Sequence, residues 1–389
     1  TGLFLQLLLG KVSWDLISYP FNLIVSIVYF SAIYGLHLLR NKLYFVRYLS
    51  TYHSAVSSLI WVCLATIIMG LNLQVPSHVL VAEPFGFSQM IASWTFLLLY
   101  TWMLTSLILA TFRVGLPRKW HQLSFFLNHV GLIIALTAGV LGSADMQRLK
   151  MTCKIGSPEW RAEDEHHNLI ELPLAIELNH FEIEEYPPKL MIIDNSTGRT
   201  LPADMPAQLS LEDSLTKGRL LDWNIQVKQS IPMAASMVTK DTVKFLEFHS
   251  IGATFAAYVE ATNVKTNDRV EGWVSCGSFA FPYKPMKLDS LTSLVMPERD
   301  HKKYSSDVLI YTKDKQKIEA NIEVNKPVKV SGWKIYQLSY DESKGKWSEV
   351  SVFELVRDPW LPVVYVGVIM MLLGTFAMFI NAQRKNKEE

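Results

Sequence analysis

Apolar residues along this chain follow two different patterns. Up to about residue 142, and again over 360–380, they form long runs, whereas between these stretches they alternate with polar residues. Five runs, at about 21–39, 54–73, 89–112, 123–142 and 360–380, are long enough to cross a hydrocarbon core, which takes roughly 20 residues. The run over 3–9 is too short to span. It reads as the remnant of a signal segment or as an interfacial turn. Asp358 and Pro359 stand where the last run begins; Asp suits an N-cap and Pro the first helical position, so a helix is predicted to start there. Gly131, Ala135 and Gly139 recur every four residues along the fourth run, a small-residue stripe that lets another helix approach closely.

Strand signals fill the polar middle. Leu172, Leu174, Ile176 and Leu178 alternate, and Phe181 and Ile183 resume the alternation after a break. Trp223, Ile225 and Val227 alternate, as do Phe255, Ala257 and Val259, and then Ile318, Ala320, Ile322 and Val324. Turns are predicted at 195–198, at Asn267-Asp268 and over 341–346, and a short helix near 210–215. The fold class that follows is a polytopic α-helical membrane protein. A large all-β, sandwich or barrel-like extracytoplasmic domain lies between its penultimate and last transmembrane helices. The divisions are a 1–20 interfacial segment, four helices within 21–142, the β-rich domain at 143–357, the last helix at 358–382 and a tail at 383–389.

Charge sets the orientation. Arg40, Lys42 and Arg47 follow the first span, Arg113, Arg118 and Lys119 lie between the third and fourth, and Arg384, Lys385 and Lys387 close the chain. The loop over 72–88 has neither Lys nor Arg. Basic loops stay on the cytoplasmic side, which puts the C-terminus inside and the polar domain outside. Trp94, Tyr100 and Trp102 in the third span, with Trp120, supply amphipathic rings of the kind favoured at membrane interfaces. The 389 residues are 50% hydrophobic with a net charge of +1, so no nucleic-acid footprint exists. Cys63, Cys153 and Cys276 form no Cys-x-x-Cys pair, which argues against thiol exchange or structural zinc. Cys153 and Cys276 either pair or remain free thiols. No hydrolase elbow, phosphate loop or nucleotide fingerprint is present.

The chemistry rests on histidines. Glu165-His166-His167 invites a metal reading, but adjacent side chains diverge on most backbones and a solvated loop fits better. His180, His249 and His301 are scattered, and His78 lies in a loop. His37, His53, His121 and His129 accompany the spans, with His129 deepest, inside the fourth. An ionisable group at membrane depth is expensive and marks a functional site by default. Imidazole is an axial ligand to haem iron, and Phe125 and Phe126, one turn away, suit an apolar slot for the macrocycle. The competing reading is a hydrogen bond from His129 to a neighbouring helix, alongside Asn128. No span carries two histidines spaced for stacked haems, which disfavours a cytochrome b role.

Three segments carry a family resemblance. Residues 325–341 read NKPVKVSGWKIYQLSYD, followed by VRDPW at 356–360. Residues 172–187 read LPLAIELNHFEIEEYP, and 128–131 read NHVG. In this order, with this span layout, the chain resembles the ResB/CcsB family of System II cytochrome c biogenesis proteins over roughly 54–380. The family layout is three spans, an outer β-rich domain and a final span, so the span at 21–39 is an addition. The resemblance implies a ResB-like half without its CcsA/ResC partner half, in the bacterial cytoplasmic (inner) membrane. It implies a subunit of a haem–cytochrome c synthetase complex with no self-contained catalytic set. Haem b would be held for thioether attachment to apocytochrome c outside, with thiol-reducing maturation proteins as further partners. The family's transmembrane histidine corresponds to His129, which the resemblance makes one axial ligand; His37 and His53, near the ends of the first and second spans, are candidate secondary haem contacts. A non-catalytic scaffold whose β domain organises an assembly partner is the alternative. An export subunit is disfavoured because the spans show no inverted repeat or broken pair.

Overall fold

The computed structural model describes all residues except 15–17, 76–78, 80, 82, 118–119, 213–214, 240–241 and 389, and describes only the backbone at 120–121 and 382–388. His78, Arg118 and Lys119, and the side chains of Trp120, His121, Arg384, Lys385 and Lys387, thus lie outside the described residues. The chain divides into two compact units. One comprises Thr1–Arg148 with Val356–Glu389, the other Leu149–Leu355.

The first unit is helical: α1 (Gly2–Leu9), α2 (Phe21–Leu38), α3 (Tyr44–Leu49), α4 (Tyr52–Leu71), α5 (Trp94–Val114), α6 (Trp120–Asp145) and α7 (Leu361–Glu388). Five of these, α2 and α4 to α7, are long and apolar enough to cross a membrane. Their starts have visible chemical causes. Thr51 and Ser93 accept the backbone N–H of Ser54 and Phe96, which caps α4 and α5. Asp358 Oδ1 accepts from the N–H groups of Trp360 and Leu361 at 3.0 and 3.1 Å, which caps α7 where the sequence places its start. The run over 3–9 is helical, and its buried Gln6 accepts the N–H of Trp94 at 3.1 Å. It thereby satisfies one of the orphan donors at the start of α5.

Around α5, apolar side chains of α2, α3 and α6 gather into one cluster that includes Ile33, Val46, Leu104, Ile108 and Leu109. The interfacial aromatics of α5 also turn their polar tips inward. Tyr100 Oη donates to Leu136 O at 3.0 Å, and Trp102 Nε1 donates to Ser54 Oγ at 3.1 Å. Ser54 in turn meets Ser106 at 3.0 Å, with both serines fully buried. These hydroxyls and ring N–H groups are paired, as an apolar surrounding favours, whereas Trp94 Nε1, Thr95 Oγ1 and Thr137 Oγ1 are buried with no hydrogen-bond partner among the described residues.

The closest packing joins α6 to α7. A Cβ built on Gly131 would lie 2.6 Å from the Gly367 carbonyl oxygen, and one on Gly367 would lie 2.6 Å from that of Gly131 and 2.8 Å from Ala135 N. One on Gly374 would lie 2.8 Å from Asn128 N. Glycine is needed because the two backbones touch. The small-residue stripe is therefore used at Gly131 and Ala135, while nothing lies within 4 Å of a Cβ on Gly139. At the far end of α6, Asp145 ties three elements together. Its carboxylate accepts from Tyr19 N at 2.7 Å, from Asn22 Nδ2 at 2.6 Å and from Trp360 Nε1 at 2.6 Å.

The second unit is sheet-rich. An eight-stranded sheet runs in spatial order Lys317–Glu323, His301–Thr312, Leu169–Glu185, Glu159–Glu163, Gln147–Lys154, Val350–Arg357, Trp333–Tyr340 and Val328–Val330. Every strand contributes to one core, from Met151 and Cys153 through Ile176, Ile310 and Ile322 to Val330, Ile335 and Phe353. The break in alternation after Leu178 is a β-bulge. Leu178 pairs with Val308 and His180 with Asp307, so Asn179 is an extra residue and the buried phase shifts to Phe181 and Ile183.

A five-stranded sheet (Lys217–Leu220, Trp223–Val238, Val243–Glu247, Thr254–Asn263, Arg269–Ser275) and a four-stranded sheet (Lys189–Asp194, Gln208–Ser210, Met286–Lys287, Thr292–Val295) share a second core. Its members include Ile192, Trp223, Val259, Val274 and Leu294. Ala256 and Ala257 are both fully buried because their strand is covered on both faces. The turn at 195–198 is built by Asp194, which accepts the N–H groups of Ser196 and Thr197, and by Gly198 at φ 68. The short helix expected near 210–215 is not found among the described residues. The chain there forms the strand Gln208–Ser210, which pairs with Lys189–Met191.

Candidate functional site

His129 sits on the half-buried face of α6. Its Nδ1 lies 2.9 Å from the carbonyl oxygen of Phe125, one turn earlier on the same helix. A carbonyl only accepts, so Nδ1 carries the proton and the Nε2 lone pair is free. The Phe125 ring stacks on the imidazole with centroids 3.7 Å apart and planes inclined by 25°. The ring is therefore oriented from within α6, by a hydrogen bond and a stacking neighbour. Among the described residues Nε2 has no hydrogen-bond partner. The bond to a neighbouring helix weighed for His129 belongs to the adjacent side chain: Asn128 Oδ1 accepts from Thr375 Oγ1 of α7 at 3.2 Å.

Asn128, Gly131 and Ala135 face α7. At 100° per residue His129 points well away from that stripe. Ile133 and Leu136, on its side of the helix, join the cluster around α5. The helix pair thus turns one face inward and leaves the imidazole on another. An in-plane lone pair on a ring held by a backbone carbonyl is the arrangement metal-binding imidazoles use. An imidazole nitrogen of this kind is a haem-iron ligand in general, and stacking by Phe125 covers a face of the ring rather than its Nε2 edge.

The other two histidines are held differently. Arg40 Nη1 lies 2.7 Å from His37 Nε2, and a guanidinium only donates, so the His37 lone pair is taken. His37 also packs edge-on against Phe112 at 5.4 Å. His53 is exposed at the start of α4, next to Tyr52 at 5.8 Å, and makes no hydrogen bond among the described residues. No hydrogen bond or ring contact among the described residues links any two of His37, His53 and His129. A cleft of about 620 Å³ opens at the Asp145 end of α6, beside Tyr19, Leu23, Arg357 and Trp360. Its first lining residue on α6, Ala144, is 15 residues beyond His129, about 22 Å along the helix, and no histidine lines it.

The sheet-rich unit holds no metal-binding group of three His, Cys, Asp or Glu among the described residues. His167 pairs with Glu163, in a turn that Asp164 closes by accepting the N–H groups of His166 and Asn168. Cys153 is fully buried in the eight-stranded core, and burial pushes its thiol up to about 12. Cys276 packs at the edge of the second core near Thr254, at 3.4 Å. All three cysteines are free, so of the two readings for Cys153 and Cys276 the structure has the unpaired one.

Residues 252–351, about a quarter of the chain, match the model of the ResB-like family, in agreement with the ResB/CcsB resemblance. The matched segment lies wholly within the sheet-rich unit. No curated protein matches the chain. A similar solved structure is "Cytochrome c Heme Lyase CcmF", at 10% identity and a TM-score of 0.20, covering 84% of this chain and 34% of that one. The chain spans about a third of that protein's length, and a likeness at this score carries no argument.

Proposed function

We propose that this chain is the ResB-type component of a membrane assembly for cytochrome c maturation, and that His129 holds haem within the bilayer as one axial ligand. The observation that carries this reading is the free Nε2 of His129 on a ring fixed by Phe125. The ResB-like match over 252–351 supports the pathway. In this reading the basic loops face the cytoplasm, the sheet-rich unit lies outside, and haem b enters from the cytoplasmic side. The second axial ligand comes from a CcsA/ResC-type partner. The thiols that attack the haem vinyl groups belong to apocytochrome c, kept reduced by thiol-reducing proteins. This chain therefore orients the iron and shields it from water, and it supplies no reacting group. His37 and His53 act at most as secondary contacts, since the His37 lone pair is engaged by Arg40.

The test is the visible spectrum of the purified chain with its partner. His129→Ala should lose the Soret band, and added imidazole should restore it by filling the vacant coordination position. Full haem content in the variant sinks the ligand assignment. A second reading, a scaffold whose sheet-rich unit organises the partner, is favoured by the family match lying in that unit and not around His129. Normal haem content and cytochrome c yield in His129→Ala, combined with loss of the partner on deleting 150–350, selects the scaffold.

A further inference from the structure

The sheet-rich unit contains a cleft of about 270 Å³ whose chemistry is unrelated to His129. Its basic wall is formed by Arg299 and Lys346. Both look to one carboxylate oxygen: Glu185 Oε2 is paired with Arg299 Nη2 and lies 4.0 Å from Lys346 Nζ. These side chains are shielded, with exposures of 18% for Arg299, 26% for Lys346 and 15% for Glu185. Two cations therefore share one anion away from bulk water, and a shielded charge without its own counter-ion is unfavourable. Burial lowers the pKa of the Lys346 amine, the Arg299 cation adds to that lowering, and Glu185 opposes it.

Apolar surface surrounds this charge. Arg299 lies 5.9 Å over the Phe255 ring and Lys346 5.3 Å over Trp347. Trp347 is anchored by donating Nε1–H to Ala253 O at 3.3 Å. On the other side Phe279 and Tyr283 stand about half exposed at the rim. Their loop is pre-formed. Ser278 Oγ receives the N–H groups of Ala280 and Phe281, and a Cβ on Gly277, at φ 75, would strike Tyr283 N at 2.7 Å. Glu298 and Glu342 also line the cleft, and both are exposed. Lys344, on the same wall, has its own partner in Glu349 at 3.5 Å.

We propose that this cleft binds a monocarboxylate bearing an aromatic or aliphatic group, either a peptide's C-terminal carboxylate or a free small acid. The carboxylate sits between Lys346 and Arg299, and the apolar group lies against Trp347, Phe279 and Tyr283. The volume falls just below that of pockets for drug-sized ligands, so it suits one terminal residue and not a macrocycle. Glu298 and Glu342 repel a second negative charge. This inference does not depend on the reading of His129.

Fluorine NMR of para-fluorophenylpropionate with the full chain in lipid nanodiscs tests it. The wild type should broaden the ligand resonance well beyond the broadening given by Lys346→Met. The variant should bind about tenfold more weakly, as expected for losing one charge-assisted contact. Lys329→Met, an exposed lysine outside the cleft, should bind as the wild type does. If Lys346→Met fails to fold, Phe279→Ala at the exposed rim gives the same comparison. A fluorinated phenylsuccinate, with its second carboxylate, should bind more weakly than the propionate. Displacement by a peptide ending in free phenylalanine, but not by its amide, identifies a peptide terminus; displacement by small acids alone identifies a free acid. Either result sustains the shared chemistry. Wild type and Lys346→Met giving equal broadening overturns it, as does tighter binding of the diacid.

Discussion

Replacing Gly367 with alanine probes the contact that makes α6 and α7 a single pair. The added Cβ would stand 2.6 Å from the Gly131 carbonyl oxygen and 2.8 Å from Ala135 N. Ordinary contact begins at 3.4 Å, so the backbones must part by 0.8 Å at that point. Both obstructing atoms belong to helical backbone, so no rotamer change relieves the overlap. Overpacking of this kind costs about 1–3 kcal/mol. Alanine also brings its own gain over glycine in a helix, about 0.5–1 kcal/mol. Gly139→Ala on α6 carries that gain alone, because nothing lies within 4 Å of its Cβ. The propensity contribution cancels between the two variants, which should therefore differ by the full overpacking cost, about 1–3 kcal/mol. That corresponds to roughly a five- to 150-fold difference in the unfolding equilibrium. Reversible unfolding in mixed micelles with rising dodecyl sulfate, followed by protease resistance of the helical unit, measures it. Equal midpoints for the two variants would refute the direct backbone contact.

Arg40→Ala should release His37 Nε2, and modification of His37 by diethylpyrocarbonate, read by mass spectrometry, should rise several-fold; unchanged labelling would count against the Arg40 contact. In native protein a maleimide should label Cys276 and spare Cys153, whose thiol is fully buried and pushed up to about 12, until the chain is unfolded. Equal labelling rates would contradict the core placement of Cys153. Glu260, held by Lys228 and Arg269, and Glu323, held by Lys326 and Lys303, have folded pKa values below the ordinary 4.5. The unfolded chain then binds more protons, so the stabilisation is complete above about pH 4.5 and is lost as the pH falls through the lower folded values. Urea unfolding of the sheet-rich unit within the full chain should show this acid loss, and Glu323→Gln should reduce it; a variant as acid-sensitive as the wild type would show that Glu323 plays no part.

Much of this architecture is legible in the residues, for physical reasons. Spans are visible because crossing lipid demands about 20 successive apolar residues, whatever the tertiary fold. Strands are visible where one face is buried, as at Trp223, Ile225 and Val227. The phase break after Leu178 is also visible, but only paired coordinates identify it as a bulge at Asn179. Long-range pairings were hidden. Nothing near Gln6 announces that it caps α5, and nothing in a lone Asp145 announces three donors from two distant segments. Near 210–215, where a short helix is expected, the described residues include the end of a three-residue edge strand, which leaves almost no periodic signal, and 213–214 lie outside the described residues. At the site, the position of His129 inside a long apolar helix was readable, while its tautomer depended on a carbonyl one turn away. Arg40 lies in the turn after α2, so its contact with His37 Nε2 depends on the path of that turn and not on helical spacing alone. The basic cleft at Lys346 had no local signature, since Glu185, Arg299 and Lys346 meet from separate strands and loops.

The most direct test of the central claim is electron paramagnetic resonance of the ferric haem in the purified assembly, wild type against His129→Cys. If His129 Nε2 ligates the iron, thiolate substitution should move the low-spin g-values and the Soret maximum while haem is retained. Identical spectra from the two proteins at equal haem content would contradict it.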